Sequence, residues 1–246
     1  MSLASLPMYD RPETAAANDR YWQAIRTRLG HGPDTLTRTG ELWDHWLAPD
    51  LVLSQTCGYP YRARLHDKVN LVGTPDYGLD GCPPGHYRSI FVARADDPRT
   101  DLHDFATAPF AYNEPLSQSG WAAPQNHALA QGFSFTNPHQ TGGHRRSARA
   151  VAEGQADLAA LDALTWSLIQ RHDPFAAELR EIDRTAPTPV LPYITAATND
   201  PAPLFDAIAA AIADLSAEDR TTLSLKGLVR LPPDAYLAIP NPPPPA

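Results

Sequence analysis

Apolar residues recur along this chain at two spacings, and the points where one spacing gives way to the other hold most of its polar chemistry. Tyr21, Trp22 and Ile25 fall at near-helical intervals and predict a helix over residues 18–29. Short apolar runs predict strands at 4–8, 51–53, 69–72 and 110–112, and the β-branched and aromatic content of residues 87–94 predicts a longer one, closed by the turn Asp96-Asp97-Pro98. From Trp121 the composition turns helical, with Ala122, Ala123, Gln125, Ala128 and Leu129. A further helix places Ala148, Val151 and Ala152 at i, i+3 and i+4, with Gly154 where a C-cap glycine belongs. Residues 156–161 then predict a strand, with Asp162 capping a helix that carries Leu164, Leu168 and Ile169. Past it, residues 202–215 predict a helix and Ser216-Ala217-Glu218-Asp219 starts another in capping-box style. Strands thus alternate with helices, the pattern of an α/β fold.

The polar junctions are of one kind. Between the strand at 110–112 and the helix after Trp121 lies Asn113-Glu114-Pro115-Leu116-Ser117-Gln118-Ser119-Gly120. Ser117 and Ser119 can each cap that helix, and the first N–H groups of a helix have no intrahelical partner. With the macrodipole they favour a phosphate, phosphonate, sulfonate or carboxylate, and Gly120 lets backbone approach it closely. A capped helix without a ligand explains the segment equally well if it stood alone. It is followed, however, by Thr141-Gly142-Gly143-His144 before the next helix and by Asp162 before the one after that. In an open α/β sheet such loops gather at the carboxyl ends of parallel strands, so all three can face one pocket.

These strings carry a resemblance. Ser117-Gln118-Ser119-Gly120-Trp121-Ala122-Ala123-Pro124, the later Gly142-Gly143-His144-Arg145-Arg146-Ser147 and the Asp162-Ala163-Leu164-Thr165-Trp166 that follows resemble the PhnD-like substrate-binding components of phosphonate and phosphate-ester ABC transporters. The family's first motif reads Ser-Thr-Ser-Gly with a proline four residues on; Gly120 and Pro124 keep that spacing, and Gln118 replaces the threonine, exchanging a hydroxyl for an amide. The resemblance implies a two-lobed type II periplasmic-binding-protein-like fold, each lobe a mixed, mostly parallel sheet flanked by helices, with the cleft between lobes joined by two hinge strands, one near 87–94 and one near 188–196. It implies a discontinuous first lobe (1–94 and 188–246) and a second lobe over 95–187. It further implies that Ser117, Gln118, Ser119, Gly120 and His144 hold an oxyanion and that Asp162, which matches the acidic residue after Gly154 and Asp157 in the family pattern, faces any ammonium group. Tyr9, Gln55 and Thr56, at the ends of early strands, are candidates for the opposite wall, although an ordinary packed tyrosine explains Tyr9 as well.

Composition adjusts this picture in a few places. The 246 residues suit two lobes, and 43% hydrophobic content is ample for their cores. A net charge of -8 without a Lys/Arg stripe excludes backbone binding to nucleic acid, and a solvated helix face accounts for Arg145 and Arg146. No run approaches the 18 or so apolar residues of a membrane span. Cys57 and Cys82 enclose a loop of about 25 residues, and a disulfide there would contribute roughly 3 to 4 kcal/mol; the alternative is two thiols. The opening residues lack a charged n-region, an apolar h-region and a cleavage site. The expected location is therefore cytoplasmic, or periplasmic if the chain is a mature or truncated form. The proline run at 240–245 is expected to be extended or disordered.

Catalytic patterns are missing: no G-x-S-x-G elbow, P-loop, G-x-G-x-x-G or H-E-x-x-H occurs. His139 and His144 lack nearby companions for a metal site. A Ser-His-Asp set assembled from Ser117 or Ser119, His144 and Asp162 would need a nucleophile in contact with its base, whereas two serines at a helix start suit a static anion. The expectation is therefore a monomeric solute-binding protein without cofactor or metal, closing over a small phosphonate- or phosphate-like anion for an ABC permease. The alternatives are a biosynthetic enzyme of the thiamine-precursor kind or a cytoplasmic ligand sensor on the same fold.

Overall fold

The computed structural model describes residues 2–245 and divides the chain into two compact units. The first comprises the chain through His86 together with Pro189–Ala238; the second comprises Tyr87–Thr188 together with the residues from Ile239 onward. The chain opens with β1 (Leu3–Ala4), α1 (Ala15–Leu29), α2 (Leu42–Trp46), β2 (Leu51–Gln55), a short α3 (Gly58–Pro60) continued by a π-helical turn at Tyr61–Leu65, and β3 (Val69–Asp76). It proceeds through β4 (His86–Tyr87), β5 (Ser89–Arg94), a 3-10 turn at Leu102–Phe105, β6 (Phe110–Tyr112), a π-helical turn at Gln118–Ala122 and α4 (Ala123–Ala130). Then come β7 (Pro138–Gln140), α5 (His144–Ala152), β8 (Leu158–Asp162), α6 (Ala163–His172), a 3-10 turn at Pro174–Glu178 and β9 (Leu179–Arg184). The last stretch holds β10 (Thr188–Pro189), β11 (Tyr193–Ala196), α7 (Pro201–Ala213), α8 (Ala217–Leu223), β12 (Gly227–Val229) and α9 (Pro233–Leu237).

The first unit is built on a sheet of order β1-β2-β11-β3-β12. β1 runs parallel to β2, while β11 runs antiparallel to both β2 and β3, and β12 antiparallel to β3. Every residue of β2 is buried, the apolar Leu51, Val52 and Leu53 and the polar Ser54 and Gln55 alike. Leu51, Ile194, Trp46, Tyr61, Leu65, Val69 and Tyr236 close one core cluster. α1 packs on α7, burying Ala17, Tyr21, Trp22 and Ile25, and stops where Gly30 takes φ 79°, a left-handed conformation that ends a helix without steric cost. At α8 the expected cap is present: Ser216 accepts the Asp219 N–H at 3.0 Å, and the Asp219 carboxylate in turn pairs with Arg20 of α1.

The second unit has sheet order β7-β6-β8-β5-β9, with β6 parallel to β7 and β8 and with β5 antiparallel to β8 and β9. Ile90, Val92, Ala111, Val151, Ala159, Leu161, Trp166 and Ile169 form its core. Because β6, β7 and β8 run in one direction, the segments that follow them leave the same edge of the sheet. Those segments are the Ser117 turn, the glycine loop before α5, and Asp162.

Several expectations change. The strand at 4–8 shrinks to Leu3–Ala4, because Pro7 cannot donate to a ladder. The strand at 87–94 breaks at Arg88, and its long part, β5, lies in the second unit through its pairing with β8 and β9 rather than in the first lobe. The strand at 188–196 likewise splits around Val190-Leu191-Pro192. β3 runs on past Gly73 to Asp76, held there by β12. Mostly parallel pairing describes the second sheet better than the first, in which β11 and β12 run against the rest. Cys57 and Cys82 are both thiols, so the bridge weighed above is not formed. The proline run, expected to be extended or disordered, has no helix or ladder among its described residues and belongs to the second unit.

Tyr236 of α9 shows how the first unit is locked. Its buried hydroxyl lies 2.6 Å from Thr74 Oγ1 and donates to the Val190 carbonyl at 2.9 Å. Tyr236→Phe leaves both partners dehydrated and unpaired, and it is expected to lower unfolding stability by about 1–3 kcal/mol, seen as a shifted urea midpoint with unchanged slope.

Candidate functional site

The turn after Ser117 is wound as a π-helix over Gln118–Ala122, a form that is rare and concentrated at functional sites. Ser117 caps it, accepting the Gly120 N–H at 3.0 Å, and the Trp121 and Ala122 N–H groups both reach the Ser117 carbonyl. Ser119 does not cap. Its hydroxyl lies 2.9 Å from His144 Nε2, joining two helix starts that are 25 residues apart in the chain. Its carbonyl accepts the Ser89 hydroxyl at 2.8 Å, and Ser89 stands opposite Asp162 in the β5–β8 register. Ser117, Gln118 and Ser119 are all buried.

Gly120 has a local reason to be glycine. A Cβ there would overlap Asn113 Oδ1 and stand 3.1 Å from Ser117 Oγ. Asn113 Oδ1 is itself buried with no hydrogen bond, and buried polar atoms of that kind are uncommon in native proteins. The carboxamide therefore packs into the space the missing side chain leaves.

The loop before α5 is pinned by Thr141. Its hydroxyl donates to the Tyr112 carbonyl at 3.1 Å and lies 2.7 Å from Ser147 Oγ, while its N–H and that of Gly142 bond the carbonyls of Tyr112 and Asn113. This ties the His144 loop to the strand end that begins the Ser117 turn. Arg145 and Arg146 then part company. Arg145 binds the buried Asp173 carboxylate at 2.8 Å through Nε, whereas the Arg146 guanidinium folds back over the loop, where a Cβ on Gly142 would lie 3.2 Å from its Nη1. Arg146 is exposed, as a solvated helix face requires, and its ionised group also lies over the glycine loop before His144.

His144 is half-buried, but its ring is enclosed enough that desolvation lowers its pKa to about 4, only partly opposed by a backbone hydrogen bond at Ala160. The imidazole is neutral at pH 7. Nδ1 makes no hydrogen bond of ordinary geometry. Ser119, His144 and the first-turn N–H groups therefore present neutral dipoles to whatever occupies the site. Asp162 caps α6 as expected, its Oδ1 accepting the N–H groups of Leu164 at 2.8 Å and Thr165 at 3.0 Å. With the carboxylate buried and facing a helix N-terminus, its charge is already compensated within the unit.

The remaining named residues lie in the first unit. Gln55 Nε2 donates to Tyr77 Oη at 3.1 Å and to the Leu191 carbonyl at 3.0 Å, so both amide protons serve the fold. Tyr9 packs edge-on to Tyr77 with ring centroids 5.3 Å apart. Thr56 is buried, and its N–H bonds the Pro192 carbonyl. Missing from the sequence reading were Asn113, Thr141 and Ser89. The first two flank the recognised motifs, but nothing marks Ser89 before the β5–β8 register is known. No group of acidic, histidine and cysteine side chains suited to a metal ion occurs among the described residues.

Residues 50–233 match the family model described as ABC transporter, phosphonate, periplasmic substrate-binding protein. No curated protein is a significant sequence match. Among solved structures, the chain is similar to PhnD1 of Prochlorococcus marinus in complex with methylphosphonate (TM-score 0.76, 13% identity, covering 97% of this chain and 95% of that one). It is also similar to a binding protein component of an ABC phosphonate transporter from Pseudomonas aeruginosa (0.71, 14%, 97% and 84%) and to a Xanthomonas citri protein bound to chloride (0.69, 15%, 95% and 93%). At such identities these likenesses establish the fold: two-lobed, α/β and of the periplasmic-binding-protein kind. No helix among the described residues is long and apolar enough to cross a membrane.

The enclosed histidine predicts a pH response. Its folded-state pKa lies below the ordinary 6.5, so as pH falls from about 6.5 toward about 4 the unfolded chain takes up a proton that the fold excludes. Stability should fall over that window with a His144 contribution approaching about 1.4 kcal/mol per pH unit at its steepest. His144→Gln should flatten the fall, read from urea midpoints at pH 7.5 and 5. Separately, Gly120→Ala should cost about 1–3 kcal/mol by overpacking, and adding Asn113→Ala should recover part of it in a double-mutant cycle.

Proposed function

Because this chain belongs to the family of periplasmic substrate-binding proteins of phosphonate ABC transporters, we propose that it grips its ligand's oxyanion at the second unit's two helix starts, with Ser117, Gln118, Ser119, Gly120 and His144 as the binding residues. The observation that carries this reading is the 2.9 Å contact between Ser119 Oγ and His144 Nε2. It brings the two motifs together. Ser119 has a hydroxyl that can turn from His144 to a ligand oxygen, and His144 then offers Nε2–H to the same anion. The first-turn amides of the π-turn and of α5 add donors whose direction is fixed by the fold, and the Arg146 guanidinium adds positive charge near one of them.

The contact is a grip rather than a nucleophile and its base, since the family binds substrates and does not transform them. The site's own groups are neutral apart from Arg146, and Asp162 is already engaged by α6. This favours a phosphonate- or phosphate-like head over a ligand that needs a carboxylate for its ammonium group. Tyr9, Gln55 and Thr56 are the residues of the first unit kept in this reading, with Gln55 and Thr56 fixed by internal bonds and Tyr9 packed on Tyr77. The family's partner is the permease of an ABC transporter. On this reading the chain works as a monomer in the periplasm and delivers its ligand there.

Ser119→Ala and His144→Ala are each expected to weaken methylphosphonate or phosphate binding by about 10- to 100-fold, the loss of one charge-assisted hydrogen bond of about 1.5–3 kcal/mol. Titration calorimetry on the two variants beside the unaltered chain decides the matter, and wild-type affinity in both would remove the site from this turn.

A further inference from the structure

The proline run has a place in the second unit that the binding reading does not use. Trp121 Nε1 donates to the Pro243 carbonyl at 3.0 Å, and Asn126 Nδ2 donates to the Pro240 carbonyl at 2.9 Å. Pro242, between them, is buried. Proline rings hold φ near −65° and leave no backbone N–H to donate, so a run of them favours the polyproline II helix, with three residues per turn and its carbonyls directed outward. Carbonyls three residues apart then return to the same side. The two acceptors used here are three apart, and the donors that meet them are an indole N–H and a side-chain amide, the kind of aromatic and polar groove that takes proline segments elsewhere.

The groove is continuous with the oxyanion turn. Trp121 directly follows Gly120 and is itself part of the π-turn. Its ring lies 5.0 Å from that of Tyr112 and 6.4 Å from that of Phe110, both in β6, the strand that feeds the turn. Asn126 follows in α4, which continues the turn. We propose that residues 240–245 are a polyproline strap seated on Trp121 and Asn126, and that the strap holds the Ser117–Ala122 turn in its binding geometry. The positioning half of this proposal rests on the reading that the turn binds the ligand. A proline strap suits the task because it has little conformational freedom to lose when it docks, and a turn ordered before the ligand arrives leaves less ordering to be done on binding.

The test keeps the chain at full length. Pro242→Gly with Pro243→Gly loosens the strap, Trp121→Phe removes its indole donor but keeps a ring, and Ser119→Ala is the control for the site. In the ligand-free protein, the Trp121 indole N–H should exchange with solvent at least about 10-fold faster in the double-glycine variant, since it loses its acceptor. Methylphosphonate affinity should fall about 3- to 10-fold in that variant and in Trp121→Phe, and combining them should add little, because both remove one coupling. Unchanged indole exchange would overturn the strap. Faster exchange with wild-type affinity, alongside weakened binding in Ser119→Ala, would overturn its positioning role while the site reading stands. Wild-type affinity in Ser119→Ala as well would place the failure in the site reading instead.

Discussion

The second unit depends on one crowded point, where Asn113 at the end of β6 meets Gly120 in the π-turn. The carboxamide fills the space a side chain on residue 120 would need, so the turn can wind tightly over the strand end only with glycine there. From that contact the rest of the site follows. Ser117 is brought within reach of the Gly120 N–H and caps the turn; the Ser119 carbonyl falls against the Ser89 hydroxyl of β5; and the Ser119 side chain is directed to His144. Thr141 bonds the Tyr112 carbonyl one residue before Asn113, so the histidine loop takes its position from the same strand end. A change at Asn113 or Gly120 is therefore felt at every donor the site offers.

That arrangement explains why part of the site could be read from sequence and part could not. Capping is local chemistry: a serine three residues before a glycine N–H, or an aspartate at the start of α6, is visible in a short string, and both Ser117 and Asp162 cap as their positions imply. Strand ends followed by small polar residues were also visible, which is why β2, β6 and β8 were found nearly to their limits. Ser89 was not, because its importance comes from register, a property of pairing between strands more than 70 residues apart in the chain. Ser119 was seen as a second cap since sequence cannot distinguish a hydroxyl facing its own helix from one facing another. Arg145 and Arg146 looked equivalent as neighbours on one helix; only the fold gives one of them Asp173 and turns the other toward the glycine loop.

Proline accounts for part of the difference between the expected and observed strands. Pro7 cut β1 short and Pro192 interrupts the strand at 188–196, while the run at 240–245, expected to be extended or disordered, is held by side-chain donors of the second unit. Proline removes a donor but leaves an acceptor at every residue. In a sheet the missing donor decides the outcome. Against an indole and a carboxamide the remaining acceptors decide it, and the same rings that forbid a ladder make the segment rigid enough to dock.

The charges around the proposed site follow the same constraint. Burying an anion among neutral dipoles works when the dipoles are fixed beforehand, since each then contributes without being reoriented. The second unit supplies that fixity through hydrogen bonds that are already made: Thr141 to the strand end, Ser89 to the turn carbonyl, Trp121 to Pro243. A neutral His144 belongs to the same logic. Kept uncharged by its enclosure, it puts no unpaired cation where one would be costly, yet it offers a proton donor or acceptor according to what its neighbour Ser119 requires. The standing positive charge is carried instead by Arg146, at an exposed position over the glycine loop, where water solvates it at little cost. On the proposed reading, the enclosed neutral grip and the solvated cation are thus separate groups, and the field that favours an anion comes from Arg146.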